Sequence, residues 1–162
     1  MLVEYFSARL SASSTLTLYD AGDQKTSTTG GWVSAFTSGD WFDTQGTLTM
    51  NTSNMKLFAD CYKCMIFART KNKINVSDYT TLSITTTAAG GSSSYGHSRN
   101  FGLCDGSSYN GTGSMTAYGS LGTDSATGTY NLTISNNNSS YYICAYASGV
   151  ASSVTISKVV LK

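Results

Sequence analysis

Residues 128–162 read GTYNLTISNNNSSYYICAYASGVASSVTISKVVLK, and their patterning decides the fold class. Tyr130, Leu132 and Ile134 alternate with Asn131, Thr133 and Ser135, the period of two that marks a strand with one buried face. Residues 136–140 are a polar turn cluster. Residues 141–147 form a second aromatic and β-favouring run, and residues 148–153 form another turn. Residues 154–161 make a third strand, with Val154 and Ile156 alternating with Thr155 and Ser157. Short polar turns predict that the three strands pair antiparallel with one wet face. Such a unit needs a second sheet over its apolar face.

The rest of the chain has the composition to supply it. Its 162 residues suit one domain with a real core. There are 26 Ser, 23 Thr and 11 Tyr, while Glu occurs once, at Glu4, and charged residues make up 12%. That mixture lacks the material of exposed helices and suits pleated, half-buried surfaces. Working along the chain, strands are expected at residues 15–19, 46–50, 55–59, 61–70, 79–87, 95–105 and 114–121, and residues 32–36 form a brief apolar piece. The segments 20–31, 88–94 and 106–113 are expected as loops. This is too many strands for a seven-stranded immunoglobulin-type domain and fits an antiparallel two-sheet jelly roll.

Residues 1–14 stand apart as an arm preceding a single domain at 15–162. Leu2, Val3, Tyr5, Phe6 and Leu10 concentrate apolar surface there. The arm reads either as a frayed terminus or edge strand, or as a docking segment for a like subunit or another partner. It has no charged segment followed by an apolar core, so it does not read as a secretory signal. The expectation is release by another route, such as lysis, or prior removal of a signal. Without a signal, Cys61, Cys64, Cys104 and Cys144 are expected as reduced thiols, with zinc or disulfides as alternatives. Cys61 and Cys64, read as part of one extended strand, would point to opposite faces, which argues against chelation by this pair unless a local bulge intervenes. The net charge of +1, with no basic stripe, argues against a nucleic-acid partner. No run of about 18 apolar residues suggests membrane insertion.

Three stretches, LYDAGDQKTSTTGGW, KINVSDYTTLSI and SSYYICAYASGVASSVTISKVVLK, resemble a family of β-jelly-roll modules in tail, baseplate and other virion proteins of phages and prophages. Those modules are similar to carbohydrate-binding modules and galactose-binding-like domains. The resemblance spans about residues 16–161. It implies a non-enzymatic structural or surface subunit of a tail, baseplate or capsid, located on the virion surface. Its partners would be other virion subunits or copies of itself, with cell-surface polysaccharide as a further one. The alternative is a carbohydrate-binding module of a secreted or cell-surface system.

Catalytic chemistry finds little footing. The single histidine, His97, sits in GHSR without a nucleophile elbow. The eight Asp are scattered singly, whereas glycoside hydrolysis wants two carboxyls on one bond. No cofactor is expected. Asp20 and Asp23 flank Gly22 in the first turn and are weak candidates for a structural calcium, which jelly-roll binding modules often carry there; two Asp are too few by themselves, and an Asx-type turn is the favoured reading. Asn51, Asn75, Asn110, Asn131, Asn137 and Asn138 open N-x-S/T triplets, as chance allows in a chain this rich in Asn, Ser and Thr. Aromatic residues are the stronger lead, because sugar rings pack their C–H faces on aromatic planes. Trp41 lies among Gly39, Asp40 and Asp43. Tyr95, His97 and Arg99 alternate, predicting a polar row on one strand face. Tyr109 sits in a Gly-rich loop. These five are the candidate glycan contacts, while Trp32, beside Val33 and Phe36, reads as core.

Overall fold

The computed structural model of the protein describes residues 14–39, 41–91, 96–106, 114–122, 127–135 and 139–162. Among these run β1 (Leu16–Asp20), a single helical turn α1 (Thr26–Thr29), β2 (Trp32–Ser34), β3 (Thr44–Gln45), β4 (Thr47–Met50), β5 (Met55–Ala59) and β6 (Cys64–Thr70). Then follow β7 (Ile74–Asn75), β8 (Thr81–Gly90), β9 (Ser98–Cys104), β10 (Ala117–Ser120), β11 (Gly128–Thr133), β12 (Ser140–Ser148) and β13 (Ser152–Leu161). The first sheet has the order β11-β8-β13-β5-β4, with β1 also on β13. The second has the order β10-β9-β12-β6-β2, with β3 beside β6 and β7 beside β12. The strands pair antiparallel, apart from the short parallel contact of β3 with β6. The all-β, antiparallel two-sheet sandwich expected from the sequence is therefore the observed architecture. The arm residues Leu2, Val3, Tyr5, Phe6 and Leu10, and the glycan candidates Tyr95 and Tyr109, lie outside the described residues.

The C-terminal strands do not form the expected three-stranded unit. β11 pairs with β8 in the first sheet, β12 lies between β9 and β6 in the second, and β13 returns to the first. Each connection crosses the sandwich. Alternation tells a strand which face to bury but not which neighbour to take. A polar linker can span two sheets as readily as it can close a hairpin.

β13 is the spine of its sheet. It pairs with β8 along one edge, while β5 takes residues 152–156 and β1 takes residues 158–161 of the other. A bulge falls at the junction, where the β8 register jumps between Ile156 and Lys158. An inserted residue reverses the facing of everything after it. Val154 and Ile156 enter the main core before the bulge, and Val159 and Leu161 enter it afterwards. β8 runs on to Gly90, through residues expected as loop, because Ser153 and Val154 of β13 pair with Gly90 and Ala89.

The second sheet is buried on both faces. Ile66, Ala68, Phe101, Leu103, Ile143 and Ala145 face the main core. Met65, Phe67, Cys104, Cys144 and Tyr146 form an outer cluster with Met115, against which Phe36 and Phe42 pack. The Phe67 and Tyr146 rings stack there at 5.7 Å and 18°. Cover on both sides explains why CMIFA and YYICAYA are continuous apolar runs rather than alternating ones.

The cysteines correct the expectation of free thiols. Cys104 of β9 and Cys144 of β12 form a disulfide between neighbouring strands, and Cys61 and Cys64 form a second one. An extended strand from residue 61 would keep Cys61 and Cys64 on opposite faces. Instead residues 61–64 are a turn, closed by the Cys64 N–H donating to the Cys61 carbonyl at 3.0 Å, and β6 begins only at Cys64.

Candidate functional site

Three segments converge at one end of the second sheet around a cleft of about 240 Å3. Its lining comprises Trp41, Phe42, Tyr62, His97, Ser98 and Ser148, together with the backbone of Gly96. Trp41 and Tyr62 are 58% and 52% exposed, and their rings meet at 5.7 Å between centroids with planes inclined at 59°. Large aromatics left in solvent are informative where polar groups border them.

The first segment is anchored by burial. Phe42 tucks against the outer cluster while its neighbour Trp41 stays in solvent. The Gly39 N–H donates to the Phe42 carbonyl at 2.8 Å. Downstream, the N–H groups of Asp43 and Thr44 donate to the Lys63 carbonyl at 3.2 and 3.3 Å. Lys63 Nζ sits 3.3 Å from Asp43 Oδ2. Donation from the Thr44 hydroxyl and then the Lys63 ammonium holds the Asp43 carboxyl below its ordinary value of 3.8. The segment carrying Trp41 is thus tied to the turn carrying Tyr62 by backbone and charge together.

The second segment is the disulfide-closed turn, which places Tyr62 and Lys63 within a four-residue ring. The third is residues 96–98, which approach the chain at Gly149. Gly149 has φ +94, and a Cβ there would lie 2.3 Å from the Gly96 carbonyl oxygen and 2.9 Å from the His97 Cα. The Gly149 N–H also donates to the Cys64 carbonyl at 3.0 Å. One glycine therefore joins the turn and the histidine segment. His97 is half-buried, Ser98 is exposed, and Ser148 forms part of the floor.

The sequence candidates part ways here. Trp41 and His97 come together in the cleft. Arg99 does not join them: it is 2% exposed, correcting its place in a solvated row. Its guanidinium donates to the carbonyls of Gly90 and Gly122, the latter at 3.3 Å, pinning the end of β8 to the segment after β10. Arg99 has the parity of Phe101 and Leu103, which face the core, so the alternation that grouped it with His97 also carries it inward. Tyr62 was missed because residues 61–70 read as one strand. The available signal was the C-Y-K-C spacing, which a turn satisfies. Asp20 and Asp23 are engaged by Lys158 at 3.1 Å and by Lys25, and the Lys25 N–H donates to Asp23 Oδ1 at 3.0 Å in an Asx-type turn. Among the described residues no group of three or more His, Cys, Asp or Glu gathers as a metal site.

No protein-family model matches the chain, and no curated protein sequence matches it. Solved structures do. CBM29-2, from a study of ligand recognition by family 29 carbohydrate-binding modules, superposes with a TM-score of 0.53 at 12% identity, covering 92% of this chain and 91% of that one. The carbohydrate recognition domain of Emp46p gives 0.53 at 10% identity, covering 88% and 97%. CBM86, a low-affinity xylan-binding module from the gut symbiont Roseburia intestinalis, gives 0.49 at 14% identity, covering 81% and 92%. At such identities the first two likenesses establish the fold: this is a β-sandwich of the kind found in carbohydrate-binding modules.

Proposed function

We propose that this chain is a non-enzymatic carbohydrate-binding domain whose cleft takes a single soluble glycan chain or chain end. The observation that carries the reading is the Trp41–Tyr62 pair, exposed yet held in place, beside the side chains of His97, Ser98 and Ser148. Aromatic planes receive the C–H faces of a sugar ring, and the bordering imidazole and hydroxyls can meet its hydroxyl groups. The described lining offers no pair of carboxyls for hydrolysis. The likeness to carbohydrate-binding structures supports the same reading at the level of fold.

The 59° inclination narrows the ligand class. Two planes so inclined cannot both lie flat on one surface, so a crystalline polysaccharide would meet one ring only. A single chain can be held against both. The test is an array of soluble oligosaccharides combined with pull-down on insoluble polysaccharides. The expected result is saturable binding to a soluble glycan, weakened by about 2 kcal/mol in Trp41→Ala, the scale of a buried aromatic anchor. The absence of saturable binding, or affinity unchanged in both Trp41→Ala and Tyr62→Ala, overturns the reading.

A place on a phage or prophage particle is the second reading, and it rests on the three motif stretches quoted above. It makes the apolar residues of the N-terminal arm a docking segment for virion subunits or copies of this chain. Deleting residues 1–12 is then expected to leave a folded domain that no longer assembles. Assembly at full stoichiometry without the arm would count against it.

A further inference from the structure

We infer that the Cys61–Cys64 disulfide is the positioning element of the aromatic cleft, so that its reduction loosens the site: the cleft is thiol-gated. For its ligand this rests on the carbohydrate reading; for its structural content it does not.

The two disulfides differ in what they hold. Cys104–Cys144 spans 40 positions and joins two strands, with both cysteines fully buried in the outer cluster. Cys61–Cys64 spans three positions. Closing so short a loop removes less freedom from the unfolded chain than closing the 40-position one, so this bond contributes less to global stability. What it restrains is local. Tyr62, half of the aromatic pair, lies inside the ring. So does Lys63, whose carbonyl receives the N–H groups of Asp43 and Thr44 and whose ammonium meets Asp43. Both sides of the cleft therefore refer their position to this one closed turn.

Access follows the same division. Cys61 is half-buried while Cys64 is 6% exposed, so an incoming thiolate reaches the Cys61 sulfur. Attack there forms a mixed disulfide and expels the Cys64 thiolate, which takes up a proton. The second thiol of a dithiol reductant then displaces the Cys61 sulfur, which is likewise protonated. The reductant leaves as its own cyclic disulfide, having given two electrons and two protons. The turn keeps its Cys64-to-Cys61 backbone hydrogen bond but loses its covalent closure, and Tyr62 gains freedom that binding must remove again.

The experiment treats the full chain with graded dithiothreitol, then alkylates it and maps the modified cysteines by mass spectrometry. Parallel samples are read for acrylamide quenching of tryptophan fluorescence and for affinity toward the strongest soluble glycan on the array. Trp32 is 5% exposed, so quenching reports Trp41. The expected result is alkylation at Cys61 and Cys64 before Cys104 and Cys144, with the chain still folded and a smaller fall in melting temperature than opening Cys104–Cys144 produces. Quenching should rise and affinity fall roughly five- to tenfold, the equivalent of one or two side chains losing preorganisation. Reoxidation should restore both. The Cys61→Ser/Cys64→Ser double variant should show the reduced values with or without reductant. Cys104 and Cys144 opening first, or Cys61 and Cys64 opening with quenching unchanged, overturns the inference. If neither redox form binds any glycan, the carbohydrate reading falls, and the quenching result alone still decides the gate.

Discussion

Gly149 and Gly96 touch where no side chain fits: a Cβ on Gly149 would lie 2.3 Å from the Gly96 carbonyl oxygen, and Gly149 holds φ +94. Gly96 has open space on its own side-chain position. The contact is therefore one-sided, and so is the expected effect of alanine. Gly149→Ala must combine backbone strain of about 1–3 kcal/mol with displacement of residues 96–97. It is expected to lower the melting temperature and to weaken glycan binding by moving His97. Gly96→Ala should leave the melting temperature unchanged. Thermal unfolding and affinity measured on both variants check this, and equal melting temperatures would contradict it.

The bulge at Ser157 yields a contrast within one strand. Ile156 and Val160 are both buried, at 0% and 5% exposure, but on opposite faces. Ile156 packs in the main core, while Val160 lies with Lys158, Thr17, Ser83 and Thr85 along a groove on the outside of the first sheet. Ile156→Ala is expected to cost about 2–5 kcal/mol, as core truncations do. Val160→Ala, losing two methyl groups beside polar neighbours, is expected to cost about 1 kcal/mol. Denaturant unfolding of the two variants measures the difference.

The same strand shows how far sequence carries. Alternation located β11 and β13, and the unbroken apolar runs located β6 and β12, because burial demands are written residue by residue. The bulge was not legible: nothing in VTISKVVL marks Ser157 as inserted, and it falls where β5 hands over to β1 along one edge of β13. Sheet membership was not legible for a related reason, as it depends on partners far away in the chain. At the site, Trp41 and His97 could be found because exposed chemistry leaves local traces. Tyr62 is hidden in a sequence whose residues 61–64 read as extended, because the turn there goes with the cysteine pairing. Arg99 was misplaced although its parity with Phe101 and Leu103 was already in the sequence.

Arg99 gives the next prediction. It sits in the sandwich interior beside the pairing of β9 with Ala147 of β12, and its guanidinium serves the Gly90 and Gly122 carbonyls. Removing a charged donor strands these part-buried acceptors. Arg99→Met, which keeps an apolar stem, is expected to destabilise by about 2–4 kcal/mol. Because Arg99 does not line the cleft, glycan affinity of the folded fraction should stay within about twofold of wild type. A Met variant as stable as wild type would show that the guanidinium contacts carry no weight.

Asp43 makes the cleft sensitive to acid. Its carboxylate accepts from the Thr44 hydroxyl at 2.9 Å and faces the Lys63 ammonium, which holds its pKa below the ordinary 3.8. A group whose folded pKa is depressed contributes its stabilisation fully above the unfolded value and loses it as pH falls through the lower folded value. The contribution is therefore level across neutral and mildly acidic pH and disappears below 3.8. Asp23 is shifted in the same direction by Lys25, so acid weakens the fold at a second place. Lys25 is shifted upward by Asp23, so that pair is lost again only above the ordinary lysine value of 10.5. Affinity separates the two sites where stability cannot. Glycan affinity is expected to show an acid step in the carboxylate range. In Asp43→Asn it should be weakened at all pH values, with this acid step removed. Asp23→Asn should keep both the wild-type affinity and its step, because the Asp23 turn lies outside the cleft lining. Titration calorimetry across the acid range checks this, and a step that persists in Asp43→Asn would assign it to another group.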